Sequence, residues 1–578
     1  MANGSKTIVK PRPTLLAPDR TRRRRSTSGW GDPETVHPAT KGEVYPLFAI
    51  GVLLAFVALM VCYRKGYLLL YGDAVAHLAI ARRILDAHYP GLAQLGGVWL
   101  PLPHILMLPF ISNMTMWQTG LAAAPMSMLS YALSVAGIWR LSRRMMRVRW
   151  AVVATAFYAL NANLLFLATT AMTEALFLAL FVWAVVATME GITALRAGNI
   201  RAANGRMFLA GLTVLGMVFT RYDGWIVGAA IWACFAWAIA KSTPQIARRA
   251  MPMFIAFTAM CASGPLLWFW YNAHFEHDWL DFMRGPYSAA QIERRTAPPG
   301  QHYREWHHPL RALVFYTRTA QIDAAFWETG FLVMAASLYG AWLTLRKSAA
   351  TTNTNLGGKY ALLLWLPLPF YLYSVAYGSV PIFIPQLYPH SYYNARYGME
   401  MLPALAVYGA LAAERLDIWF RASDGWGKLG TRFWQPAMLL LCLLNCIGMM
   451  YKIPLVLKEG IVNASTRVPF ERSIATLLSE MSPDEPVMMA LSSHVGAVQS
   501  AGRTLKSMVS ENDLQSFQAA LKDPAANAAF VIAIEGDPVA QAVAEHPAGL
   551  KEVEVICTSG QPCARVYQSE LWKTQTTP

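Results

Sequence analysis

The chain has 578 residues, with 49 Lys and Arg against 34 Asp and Glu, for a net charge of +15. Hydrophobic residues make up 55% and charged residues only 14%, and the mean hydropathy is +0.32. Soluble domains carry roughly a quarter charged residues, so a disordered chain, a coiled coil and a single soluble enzyme domain are excluded.

The first 30 residues hold eight basic residues and one acid, including the run Arg22, Arg23, Arg24 and Arg25. Residues 1–43 read as a disordered basic tail. Apolar runs then recur near 44–63, 119–140, 150–169, 172–190, 207–220, 225–240, 251–271, 327–345, 360–378, 398–413 and 433–451. Spanning helices need about 17–25 apolar residues, so the pattern predicts a polytopic α-helical membrane core over 44–451 with about 11 spans. The first run, Val44 to Tyr63, is too long for a signal-peptide core and reads as a retained anchor.

Basic residues punctuate alternate loops: Arg140, Arg143, Arg144, Arg147 and Arg149; Arg196, Arg201 and Arg206; Lys241, Arg248 and Arg249; Arg346, Lys347 and Lys359; Arg415, Arg421, Lys428 and Arg432. Positive loops stay in the cytoplasm, so these loops share the side of the tail. That leaves loops 64–118, 272–326 and 379–397, and the region 452–578, outside the membrane, with a bacterial inner membrane as the expected location. Lys65, at the outer end of the first span, breaks the charge rule and is a functional candidate for that reason.

The region 452–578 holds ten basic and fourteen acidic residues. Strands are predicted at Pro486–Leu491, Thr504–Val509, Ala529–Glu535 and Glu552–Cys557, with helical patterns at Pro469–Met481, Asn512–Leu521 and Val539–Glu545 between them. This alternation predicts a small, partly parallel α/β domain. No glycine-rich phosphate fingerprint follows a strand, so no cofactor is assigned. Cys557 and Cys563 flank a short turn and fit a disulfide in an oxidising compartment. No clustered basic and aromatic surface points to nucleic acid.

Acids at the edge of a span are functional candidates because the bilayer penalises them. Asp73 follows the first span and opens a helical stretch, a position that also suits an N-cap. His77 lies one turn on; the pair leaves a divalent metal open, although no metal-site spacing is present. Glu174 opens the fourth span, where the helix dipole alone favours an acid. Asp223, in Thr220-Arg221-Tyr222-Asp223-Gly224-Trp225, reads first as an Arg–Asp pair on a tight hairpin turn and only second as a catalytic acid. The Gly- and Pro-rich, apolar segment 92–104, with Trp99 and His104, reads as a re-entrant wall of a cavity. Arg396 and Tyr397 precede the tenth span; an Arg fork beside tyrosines suits a phosphate, and also suits an interface anchor.

Asp73 after the first span, Glu174 opening the fourth, and Arg396-Tyr397 before a Pro-containing span resemble the polyprenyl-phosphate-sugar-dependent glycosyltransferases of the C superfold (GT-C). The protein O-mannosyltransferases and the aminoarabinose-to-lipid-A transferases are the nearest groups. The family often has two adjacent acids in the first outer loop, whereas here Asp73 is followed by Ala74. The resemblance implies an inverting membrane glycosyltransferase whose partners are a lipid-linked sugar donor, membrane lipid, and a glycan, lipid or protein acceptor. It implies Asp73 as general base and Glu174 as an orienting acid. Arg396 and Tyr397, helped by Arg221, Lys65 and Arg82, would hold the donor phosphate. His77, Trp99, His104, Tyr222 and Asp223 would line the cavity. The competing readings are a polymerase or ligase using lipid diphosphate oligosaccharides, a transporter, and a receptor.

Overall fold

The computed structural model describes residues 36–298, 300–346, 358–422 and 426–572. The basic tail up to residue 35 and Lys347 lie outside the described residues. Each predicted apolar run is helical. Among the described residues, seven helices are long and apolar enough to cross a membrane, from Lys41–Arg64 onward. Several runs break, and three show a local reason. The run 150–169 splits into Val148–Ala159 and Ala162–Leu167 because Asn161 caps the second piece, its Oδ1 accepting from the Leu164 amide at 3.0 Å. Run 360–378 passes from a 3-10 turn, Gly358–Trp365, into Pro367–Tyr377, with Pro at the start of the helix. Run 398–413 begins with the 3-10 segment Ala395–Met401 before Leu402–Ala422.

Helix Glu174–Arg196 is the axis of the bundle, buried almost throughout. It packs against Ala124–Ser142 and Ile200–Val218. Small residues set the close approaches, as lipid-embedded packing requires. A Cβ at Gly340, on Thr329–Arg346, would overlap the Tyr408 carbonyl oxygen, and Ser337 on the same helix donates to Leu405 O at 2.8 Å. Gly340→Val should therefore separate these two helices and lower the detergent-solubilised Tm by several degrees; an unchanged Tm would show that the helices do not meet there.

The basic loops meet buried acids at one end of the bundle. Glu190 accepts from Arg140 at 2.7 Å, Arg144 at 3.0 Å and Arg206 at 2.8 Å. Arg143 pairs with Glu43 at 3.2 Å, and Arg147 with Glu414 at 2.9 Å. Glu174 and Glu190 share one helix, so they stand about 24 Å apart at 1.5 Å per residue. The site described below occupies the opposite end.

Helix Leu455–Glu480 begins against the bundle, where Asn163 Oδ1 accepts from the Val456 amide at 2.9 Å, and ends against Val495–Ala501. A five-stranded sheet follows: β1 Val487–Met489, β2 Met508–Val509, β3 Phe530–Ile534, β4 Leu550–Ile556 and β5 Ala564–Ser569, in the order β2-β1-β3-β5-β4. The β2-β1-β3 part is parallel, and β3-β5-β4 is antiparallel. The sequence reading lacks β5, because six residues with Arg565 and Gln568 among them carry too short an alternation to stand out. Cys557 and Cys563 are disulfide-bonded and close the turn between β4 and β5. This unit docks onto the loop 64–118: Arg83 Nη1 donates to Asn512 Oδ1 at 2.7 Å, and Gln499 Nε2 to Trp117 O at 2.6 Å.

Candidate active site

A cavity of about 1100 Å³ lies at the end of the bundle away from Glu190, and it gathers residues from all three long loops. Asp73 lies in the first turn of helix Gly72–Arg83. Its carboxylate makes no cap bond; Tyr71 is the N-cap residue, and Asp73 Oδ2 instead accepts from Arg396 Nη2 at 2.5 Å. The capping reading is thus replaced by an ion pair across 323 residues of sequence.

Arg396 reaches this point through a designed sequence of turns. Phe383 and Tyr393 exchange backbone bonds at 2.9 and 3.0 Å, closing the loop between them. Asn394 then takes φ 55°, a left-handed conformation that Asn tolerates, and starts the 3-10 segment carrying Arg396. The guanidinium lies 4.9 Å from the ring centre of Tyr397 and 5.4 Å from that of Tyr71. Its Nε donates to Glu174 Oε1 at 3.1 Å, and Nη1 stands 3.7 Å from Glu459 Oε1.

Arg221 forms the second half. Nη1 donates to the same Glu174 oxygen at 3.1 Å and to Thr173 Oγ1 at 2.9 Å; Nη2 donates to Tyr371 Oη at 2.7 Å. Its Nε stands 3.0 Å from Glu400 Oε1 and 3.4 Å from Asp223 Oδ2. Tyr371 closes the network, its hydroxyl lying 2.8 Å from Glu400 Oε1 and 3.2 Å from Asp223 Oδ2. The Arg221–Asp223 pair on the hairpin exists, but it is the longest of the bonds Arg221 makes.

Five carboxylates therefore surround two guanidiniums. Four are sealed: the side chains of Glu174 and Glu400 are 0% exposed, Glu459 1% and Asp223 2%. Asp73 is 41% exposed, so it alone of the five presents a carboxylate broadly to the cavity. Glu174 shares one oxygen between both arginines and sets their spacing. Glu174 also belongs to the cavity lining.

His77 lines the cavity, its ring 4.4 Å from that of Trp99. Burial holds its pKa down at about 4, so the ring is neutral at pH 7. Its Nδ1 is 2.9 Å from Nε2 of His104. His104 is fully buried behind it and is not part of the cavity wall, a correction to the expected lining. Val98, Trp99 and Leu100 line the cavity, as expected of a wall-forming segment, and Tyr222 donates to Val98 O at 2.5 Å. Tyr287 and Tyr303 of the second loop line the far side. Trp279 and Trp306 of the same loop do not line it.

Two phosphate helpers are removed from the set. Lys65 is exposed at the end of helix Lys41–Arg64, outside the cavity wall. Arg82 points away: Nε donates to Asp86 at 2.8 Å, and Nη1 to the carbonyls of Ile111 and Ser112 at 2.8 and 2.7 Å. Three central residues had been given no role. Tyr371 sits in an apolar run with no sequence signal. Glu400 enters a span as Glu174 does, and that signal was available. Glu459 follows the last apolar run and reads as part of the outer domain. Among the described residues no group of three or more His, Cys, Asp or Glu is placed to hold a metal ion.

No family model and no curated protein matches the chain. Among solved structures, it is similar to ArnT from Cupriavidus metallidurans bound to undecaprenyl phosphate, with a TM-score of 0.56 at 14% identity, covering 92% of this chain and 98% of that one. The apo state of the same protein gives a TM-score of 0.54 at 13% identity, covering 91% and 98%. At these coverages both alignments take in the helical bundle and at least part of the C-terminal unit, so the chain has the fold that its first-loop acid and its Arg-Tyr pair resemble, a multi-pass C-superfold core with a small C-terminal α/β unit.

Proposed function

We propose that the protein is an inverting membrane glycosyltransferase that moves a sugar from a polyprenyl-phosphate donor to an acceptor hydroxyl on the outer face of a bacterial inner membrane. The observation that carries this reading is Asp73, the broadly exposed carboxylate of the five, held against Arg396 in a large aromatic cavity. The likeness in fold to a protein crystallised with undecaprenyl phosphate supports it.

In this reading Asp73 takes the proton of the acceptor hydroxyl as its oxygen attacks the anomeric carbon. The bond from that carbon to the phosphate oxygen breaks on the opposite face. The electron pair leaves with the polyprenyl phosphate, and Arg396 and Arg221 stabilise the developing charge. Attack opposite the leaving group inverts the anomeric centre, and no covalent enzyme intermediate forms. The bond from Arg396 Nη2 to Asp73 Oδ2 puts the base against the phosphate-binding group, so phosphate oxygens would compete with the carboxylate for the guanidinium. Donor binding thus frees the base, and the acceptor reacts second.

The direct test is purified full-length protein with a panel of polyprenyl-phosphate sugars and lipid, glycan and peptide acceptors, scored by mass spectrometry. Transfer from a lipid monophosphate sugar is expected. Consumption of lipid diphosphate oligosaccharides alone would favour the polymerase or ligase reading.

A further inference from the structure

The helix Leu455–Glu480 starts after the last predicted span, yet it touches both halves of the site. Glu459 is buried, and its two oxygens accept from consecutive backbone amides, Oε1 from Asn394 at 2.8 Å and Oε2 from Ala395 at 2.9 Å. Those are the residues just before Arg396, whose Nη1 lies 3.7 Å away. One turn earlier, the Val456 carbonyl accepts from the Tyr71 hydroxyl at 2.8 Å. Two turns later, Arg467 Nη2 donates to the carbonyls of Leu69 and Leu70 at 3.1 and 3.0 Å, and its Nη1 is fixed by Glu471 at 2.6 Å. Gly460 lies between them, where a Cβ would press on the Tyr71 ring at 3.2 Å.

One face of one helix therefore holds the chain immediately before Asp73 and the chain immediately before Arg396. We propose that Glu459 and Arg467 are positioning residues of the transfer reaction. Glu459 acts through Arg396 on the donor phosphate, and Arg467 acts through the Leu69–Tyr71 backbone on the base. A buried carboxylate bonding two successive amides fixes both the position and the rotation of the next residue, which a single bond leaves free. The proposal rests on the glycosyltransferase reading for its kinetic consequences, but not for its structural ones.

The test uses the full chain in lipid nanodiscs, with Glu459→Ala, Glu459→Gln and Arg467→Ala. Amide hydrogen exchange is read first, since it needs no turnover. Glu459→Ala should speed exchange at Asn394 and Ala395 by at least tenfold, Glu459→Gln should do so at one of the two, and Arg467→Ala should speed exchange around residues 69–73. Exchange near Glu190 should stay at the wild-type rate in all three. With a polyprenyl-phosphate sugar as donor, Glu459→Ala should raise the donor KM by tenfold or more, with a smaller change in kcat. Arg467→Ala should lower kcat by tenfold with donor KM within twofold. Wild-type exchange at 394 and 395 in Glu459→Ala overturns the proposal, as does an equal effect of the two alanine variants on KM and kcat. If the wild-type protein transfers no sugar, the glycosyltransferase reading fails, and the exchange rates alone still decide whether the helix holds both loops.

Discussion

Asp73→Asn should lower transfer by at least about 10²-fold, the lower end of what positioned bases contribute, while the donor KM stays equal or falls. The second half of this expectation is the distinctive one. The Asp73 carboxylate, bonded to Arg396 Nη2, would compete with an incoming phosphate for that group. An amide at the same place is uncharged, so it opposes phosphate binding less and catalyses nothing. Steady-state kinetics with the donor varied, together with a thermal melt showing intact folding, checks both parts. A variant with full activity would remove Asp73 from the chemistry; a tenfold rise in donor KM would mean that the carboxylate assists binding instead of opposing it.

Arg396→Ala is expected to fail in a different way, by weakening the donor and the protein together. The guanidinium serves Asp73, Glu174 and Glu459 at once, and two of these are sealed from water. Removing one partner of a buried pair costs about 3–5 kcal/mol because the remaining charge is stranded. A marked drop in detergent-solubilised Tm should accompany a loss of undecaprenyl phosphate binding. Arg396→Lys should recover part of the stability and less of the binding, since an ammonium keeps the charge but not the fork. Equal recovery of both would show that charge alone holds the phosphate.

The parts of this arrangement that sequence made legible are those governed by one-dimensional rules. Apolar run length gave the helices, and the cost of an acid at a bilayer edge singled out Asp73, Glu174 and Asp223. The same rule applied strictly would have taken Glu400. The direction in which a charge points has no such signature. Arg82 and Lys65 lie in the same loop as Asp73, yet Arg82 turns onto Asp86 and two carbonyls, and Lys65 is exposed and outside the cavity lining. Tyr371 was invisible because a tyrosine in an apolar run is ordinary until its hydroxyl is seen between Glu400 and Asp223. Glu459 was missed because a boundary drawn at the last span put it in another domain.

The bond between the Tyr71 hydroxyl and the Val456 carbonyl joins positions 385 residues apart. During synthesis the ribosome releases Tyr71 into the insertion machinery long before Val456 exists. The cradle around Asp73 and Arg396 therefore closes only after the final hydrophobic segment has been threaded and the trailing helix has folded back. Until then the loops carrying Asp73 and Arg396 lack the contacts that Val456, Glu459 and Arg467 supply.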